Sequence, residues 1–175
     1  QALDYSRAGK YKEGECKALQ HLALILMRQK RQNHIKKTSN FELDSRVHQY
    51  FLEAKQIAEK LNDTTLLGQI AINMGNFELQ QKNYYKALDL YKTAIIYGKS
   101  ILDTSKIVIP LSNISSIYQL LKDYPKSLKY SEEALKYIRI NDQNKALIYT
   151  SLGLSHYMLN HDDTALLYLK KGEQY

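Results

Sequence analysis

The sequence predicts an all-α chain built as a linear array of antiparallel helix pairs. Three observations carry this. The 175 residues hold only 7 Gly and 2 Pro, too few backbone breakers for a sandwich or barrel, which needs a turn signal about every 8–12 residues. Ala54, Ala94 and Ala134 recur at intervals of 40 residues, each near the end of an amphipathic stretch that runs into Asn or Asp. A second small residue recurs behind a large apolar one in each unit: Leu22-Ala23, Met74-Gly75, Ile114-Ser115 and Leu152-Gly153. A fixed period of about 40 residues is the mark of a repeat array, each unit one helix, a tight turn and a second helix.

The elements follow in order. Residues 1–8 read as the tail of a preceding helix, and the whole of 1–175 as one array. Its units span about 12–61, 64–101, 105–140 and 143–174. The first helix of each unit (A) is expected over 12–32, 64–81, 105–122 and 143–159, and the second (B) over 42–61, 84–101, 125–140 and 162–174. Within units the chain turns at polar corners, Lys82-Asn83-Tyr84, Lys122-Asp123-Tyr124 and Asn160-His161-Asp162. Pro125 fits the first turn of its helix, where a missing N–H costs nothing. Pro110 falls inside the third A helix and should kink it or delay its start. The first unit carries about a dozen extra residues near 33–44, expected as a mobile insertion because they are rich in Lys, Ser, Thr and Asn. The half unit at the start, and a last helix reaching Tyr175 without a polar cap, predict a piece of a longer protein or self-association through an array end.

Packing explains the spacing. Gly75, Ser115 and Gly153, with Ala87, Ser127 and Ala165, mark places where helices cross closely and a larger side chain would overpack. Phe51, Tyr84, Tyr91, Tyr118 and Tyr124 are expected to fill the space between units, with the tyrosine hydroxyls pointing outward. That gives a structural home to many of the 15 tyrosines.

These residues resemble the tetratricopeptide repeat family. Leu152-Gly153 and Ile114-Ser115-x-x-Tyr118, Asn83-Tyr84-x-x-Ala87 and Asp123-Tyr124-x-x-Ser127, and Phe51-x-x-Ala54 and Tyr91-x-x-Ala94 carry its three motif portions in one register. The period is longer than the family's usual one, similar to a subclass found in bacterial signalling and regulatory proteins. The resemblance implies a right-handed superhelical solenoid of about four units whose A helices line a concave groove. It also implies a protein- or peptide-binding module, the sensor or interaction region of a signalling or transcription-regulatory protein. The alternatives are a structural adaptor and, through the basic insertion, a nucleic-acid binder. The compartment stays open between cytoplasm and periplasm.

In that groove the resemblance puts Asn73, Asn76 and Gln80 on the second A helix, Asn113, Ser116 and Gln119 on the third, and Tyr157 on the fourth. Amide side chains offer both a donor and an acceptor, so a ladder of them can hold an extended peptide backbone. With a B helix between neighbouring A helices, Asn73 and Asn113 are expected about 20 Å apart.

Other chemistry has little support. No glycine-rich phosphate loop, nucleophile elbow or catalytic carboxylate pair occurs, so neither an enzyme nor a cofactor is expected. Cys16 is the one cysteine, read as a small buried thiol. The longest apolar run, Leu22–Met27, is far short of a membrane span. His156 and His161 are five apart, off the i, i+4 spacing of helical metal ligands, so no metal site is expected. The net charge is +7, and Arg28, Lys30, Arg31, His34, Lys36 and Lys37 cluster beside the insertion. The aromatic residues lie at core spacing and do not alternate with that cluster, which argues against stacking on bases.

Overall fold

A computed structural model of the chain describes residues 11–32, 37–138 and 144–175. Eight helices occur among the described residues, and no strand. They are α1 (Lys12–Gln32), α2 (Lys37–Lys60), α3 (Thr64–Gln80), α4 (Tyr84–Ser100), α5 (Ser105–Leu120), α6 (Tyr124–Leu135), α7 (Lys145–Met158) and α8 (Asp162–Gly172). Each helix packs on the next in sequence. In addition the backbones of α1 and α3, α3 and α5, and α5 and α7 come close, while those of α2, α4, α6 and α8 stand further apart, with Lys99 of α4 reaching Glu133 of α6 at 3.3 Å. Crowding on one side and separation on the other places the A helices on the inner face of a curved stack and the B helices on the outer face.

One corner design, used five times, sets this up. Asn62, Lys82, Leu102, Lys122 and Asn160 all have positive φ, between 51° and 62°. At each, the next residue's N–H bonds back to the carbonyl five before it: Asp63 to Ala58, Asn83 to Glu78, Asp103 to Gly98, Asp123 to Tyr118 and His161 to His156. This is the Schellman closure, which satisfies carbonyls at a helix end and reverses the chain. The residue after the left-handed one then starts the next helix. Asp63 accepts from the Leu66 N–H at 2.9 Å, and Asp123 from the Lys126 N–H at 3.2 Å, filling donors that a helix start leaves open.

The small residues work as expected at the crossings. A Cβ on Gly75 would lie 2.6 Å from the ring of the fully buried Tyr91, and one on Gly153 would lie 2.6 Å from Leu169. A Cβ on Gly98 would lie 2.8 Å from the Lys106 carbonyl oxygen. Pro110, four residues on, has no N–H to offer that carbonyl. The helix nonetheless starts at Ser105 and continues through Pro110, so its start is not delayed. Phe51 and Phe77, with Leu19, Met27, Val47 and Ile70, form the core between the first two units; Leu111, Ile114, Ile117, Ile148 and Leu152 continue it through the rest.

Two boundaries differ from the sequence expectation. Helix α2 starts at Lys37, so residues 37–44 of the insertion extend a helix; residues 33–36 lie outside the described residues. The joint is held by Lys30, whose ammonium sits 2.7 Å from both Asp44 oxygens and 3.1 Å from Gln81 Oε1, tying α1, α2 and the end of α3 together. Helix α6 stops at Leu135, short of residue 140. There the backbone bonds shorten to i, i−3, as in Tyr137 N–H to Ala134, and Tyr137 and Ile138 pack on the core. The expected helix tail at 1–8 lies outside the described residues, as do 139–143 at the junction of the third and fourth units.

Leu102 is 85% exposed and holds the left-handed conformation, so its side chain gains little from burial while its backbone is strained. Leu102→Gly should therefore stabilise the fold by about 0.5–1 kcal/mol in urea melts. Gly98→Ala should do the reverse, by about 1–2 kcal/mol, because the added methyl meets backbone that cannot rotate away. The Asp103 carboxylate, held by Lys106 and Ser105, is lowered to about 2. A lowered acid contributes stability above its unfolded value and loses it as pH falls through the folded one. Acid titration of Asp103→Asn should thus show a shallower loss of stability between about pH 4 and pH 2 than the parent.

Candidate functional site

The inner face is stitched by polar side chains running from one A helix to the next. Asn73 of α3 is buried; its amide donates to Gln20 of α1 at 3.2 Å and its carbonyl accepts from Gln69 at 3.2 Å. Asn76 Oδ1 accepts from the Tyr91 hydroxyl at 2.7 Å and from the Asn113 amide of α5 at 3.2 Å. Burial pushes the Tyr91 hydroxyl well above its ordinary value, against a smaller opposing effect of Asn113. So the Tyr91 hydroxyl points inward to a partner, contrary to the outward direction expected. Gln119 of α5 donates to the Ser151 carbonyl and to the Ser151 and Ser155 hydroxyls of α7, at 2.9–3.0 Å.

This seam overturns the expected 20 Å separation. Helices α3 and α5 meet directly, with no B helix between, and Asn113 reaches across to Asn76. Of the residues expected in the groove, Asn73, Asn76, Asn113 and Gln119 are bonded between helices, and Ser116 bonds back to the Ser112 carbonyl at 3.0 Å. Gln80 and Tyr157 are exposed.

At the third unit the seam deepens into a buried group of serines. Ser115 Oγ lies 2.7–2.9 Å from the hydroxyls of Ser127, Ser131 and Ser151, and Ser127 lies 2.8 Å from Ser155. All five are buried. Ser115 and Ser131 stand where the preceding unit has Gly75 and Tyr91. A glycine against a ring has become two hydroxyls against each other, and polar bonding replaces part of the lost apolar volume.

Two depressions follow α1 and α3 along the inner face. One, of about 340 Å³, is lined by Leu24, Met27, Arg28, Arg31, Asn76, Leu79 and Gln80. The other, of about 300 Å³, is lined by Lys17, Gln20, His21, Leu24, Leu66, Gln69 and Asn73. Leu24 is common to both, so they form one trough with cations on the α1 wall and amides on the α3 wall. The basic cluster read from the sequence is thereby divided. Arg28 and Arg31 line the trough, Lys30 is paired with Asp44, and His34 and Lys36 lie outside the described residues.

Cys16 is buried; its thiol donates to the Ala54 carbonyl at 3.3 Å, and burial raises its pKa. Such a thiol is protonated and structural. The feature that sequence reasoning missed is the histidine pair. His156 and His161 bring their Nδ1 atoms to 3.3 Å.

Helix pairs in a single curved stack, with small residues at each crossing, define a helical repeat solenoid. Residues 106–174 match the tetratricopeptide repeat family model, and the helix pairs before them continue the same solenoid architecture. It is 32% identical over 98 residues to the transcriptional activator NprA of Geobacillus stearothermophilus, across 56% of this chain and 24% of NprA. Among solved structures it superposes at a TM-score of 0.76 and 22% identity on the STAND protein PH0952 of Pyrococcus horikoshii, which has a tetratricopeptide repeat sensor; 94% of this chain and 24% of that one are covered. The MamA protein is another, at a TM-score of 0.59 and 14% identity, covering 99% of this chain and 87% of that one. The chain thus spans about a quarter of the length of NprA and of PH0952.

Because Asn73 is bonded within the fold, Asn73→Ala should lower stability as well as alter the groove. A loss of about 1–2 kcal/mol in urea melts is expected, since the Gln20 carbonyl is left buried without its donor.

Proposed function

We propose that the trough between α1 and α3 holds an extended, acidic peptide segment of a protein partner, and that the array is the interaction or sensor region of a regulatory protein. The observation that carries this reading is the pairing of Arg28 and Arg31 with Asn76 and Gln80 over an apolar floor of Leu24, Met27 and Leu79. A guanidinium presents a planar fork that matches a carboxylate. Amides can take the donor and acceptor of a peptide backbone. The floor accepts apolar side chains, and a net charge of +7 draws an acidic partner to the surface. The likeness to a transcriptional activator and to a repeat sensor supports the regulatory setting.

Tetratricopeptide arrays are typically non-catalytic interaction modules, and no residue set in the trough suggests a reaction. Nucleic-acid binding through the basic insertion draws less support, because Lys30 is neutralised by Asp44.

An array of extended peptides graded in Asp and Glu content, read by fluorescence anisotropy, tests the proposal. Acidic peptides should bind more tightly than their amide counterparts, and the double variant Arg28→Ala, Arg31→Ala should weaken the best of them at least tenfold, about 1.4 kcal/mol. Lys36→Ala with Lys37→Ala should change little. Affinity that ignores the arginines but collapses with the lysine pair would move the site to the insertion.

A further inference from the structure

Helix α7 ends at Met158 and α8 begins at Asp162. In a continuous helix, residues five apart point in different directions. Here Asn160 takes a φ of 60° and the His161 N–H bonds back to the His156 carbonyl at 3.0 Å, so the chain folds over its own last turn. That closure superposes residues i and i+5. The two imidazoles come to 5.6 Å between centroids, with Nδ1 facing Nδ1 at 3.3 Å. His161 occupies the cap position of α8 but makes no side-chain cap bond there. The His156 ring is stacked on Tyr168 of α8 at 5.5 Å and 9°, which fixes its plane.

We propose that His156 and His161 form a two-ligand site for a divalent late transition metal ion, Zn²⁺ or its neighbours Ni²⁺ and Cu²⁺. Two ligand nitrogens on one tetrahedral ion, each at about 2.0–2.1 Å, stand about 3.3–3.4 Å apart. The observed separation has that value, so an ion enters between the rings with little movement of either. Neutral imidazole suits these ions, whereas Mg²⁺ and Ca²⁺ want oxygen donors. Among the described residues no third His, Cys, Asp or Glu joins the pair. The remaining positions on the ion are left for water or for a group from a second molecule, including the same histidine pair of a second copy.

Isothermal titration of the metal-stripped chain with ZnCl₂ at neutral pH tests this. Saturable binding in the micromolar range is expected, at one ion per chain or one per two chains. MgCl₂ should give no binding. His161→Ala should weaken Zn²⁺ binding at least tenfold, and His156→Ala likewise, while His21→Ala and His48→Ala should leave it unchanged. His161 is exposed, so its variant should keep the parent's circular dichroism melt even where loss of the His156–Tyr168 stack disturbs the fold. Absence of saturable Zn²⁺ binding, or binding undiminished in folded His161→Ala, would overturn the site.

Discussion

The left-handed residue that closes each helix is the constraint on which the array rests. Asn62, Lys82, Leu102 and Lys122 are spaced 20 residues apart, so one corner geometry serves both the turn within a unit and the turn between units. With the corners fixed, helices α3, α4 and α5 have 16 or 17 residues each, and the same faces meet at every crossing. Only Asn among these residue types tolerates the conformation well; the two lysines and the leucine hold it at a cost. The recurring Asp or Asn that follows offsets part of that cost where it caps the next helix.

Within that frame the crossings admit different solutions. In the second unit Gly75 makes room for Tyr91, whose hydroxyl is satisfied by Asn76. In the fourth Gly153 makes room for Leu169. The third unit instead puts serine on both sides and extends the polar contact to Ser127, Ser151 and Ser155. Each hydroxyl brings a donor and an acceptor, so a closed group of them can be mutually satisfied without water. The buried ring is non-directional in its packing, whereas the serine group has directional bonds. The third crossing is therefore the one whose geometry is most narrowly specified by polar contacts.

Much of this was legible in the sequence. The helix pairs, their order and most boundaries follow from the 40-residue recurrence of alanine and of Gly or Ser, because those positions report crossing distance directly. The start of α2 was not legible, since a stretch rich in Lys, Ser, Thr and Asn reads as a loop until Lys30 and Asp44 are seen to clamp it. The end of α6 was missed because Ile138 continues the apolar pattern while the backbone has already tightened. The groove amides were picked out by position, but their mutual bonding depends on direct contact between A helices, which no spacing rule reveals. The histidine pair escaped because the i, i+4 rule presumes an unbroken helix, and here the helix ends between the two rings.

The polar seam also bears on what a groove ligand must do. Asn76 Oδ1 already accepts from Tyr91 and Asn113. A ligand donor aimed at that oxygen competes with bonds that join α3 to α4 and α5. Gln80, which lines the same depression, is exposed. An amide already bonded in the fold contributes less net binding than an exposed one, because its bond to the ligand replaces a bond of similar strength. The charged wall of α1 has a different standing. Arg28 is exposed and Arg31 is exposed, and each faces the trough with a fork suited to carboxylate. In the proposed peptide-binding role, selectivity therefore falls to the arginines, while the amides hold together the helices that carry the trough.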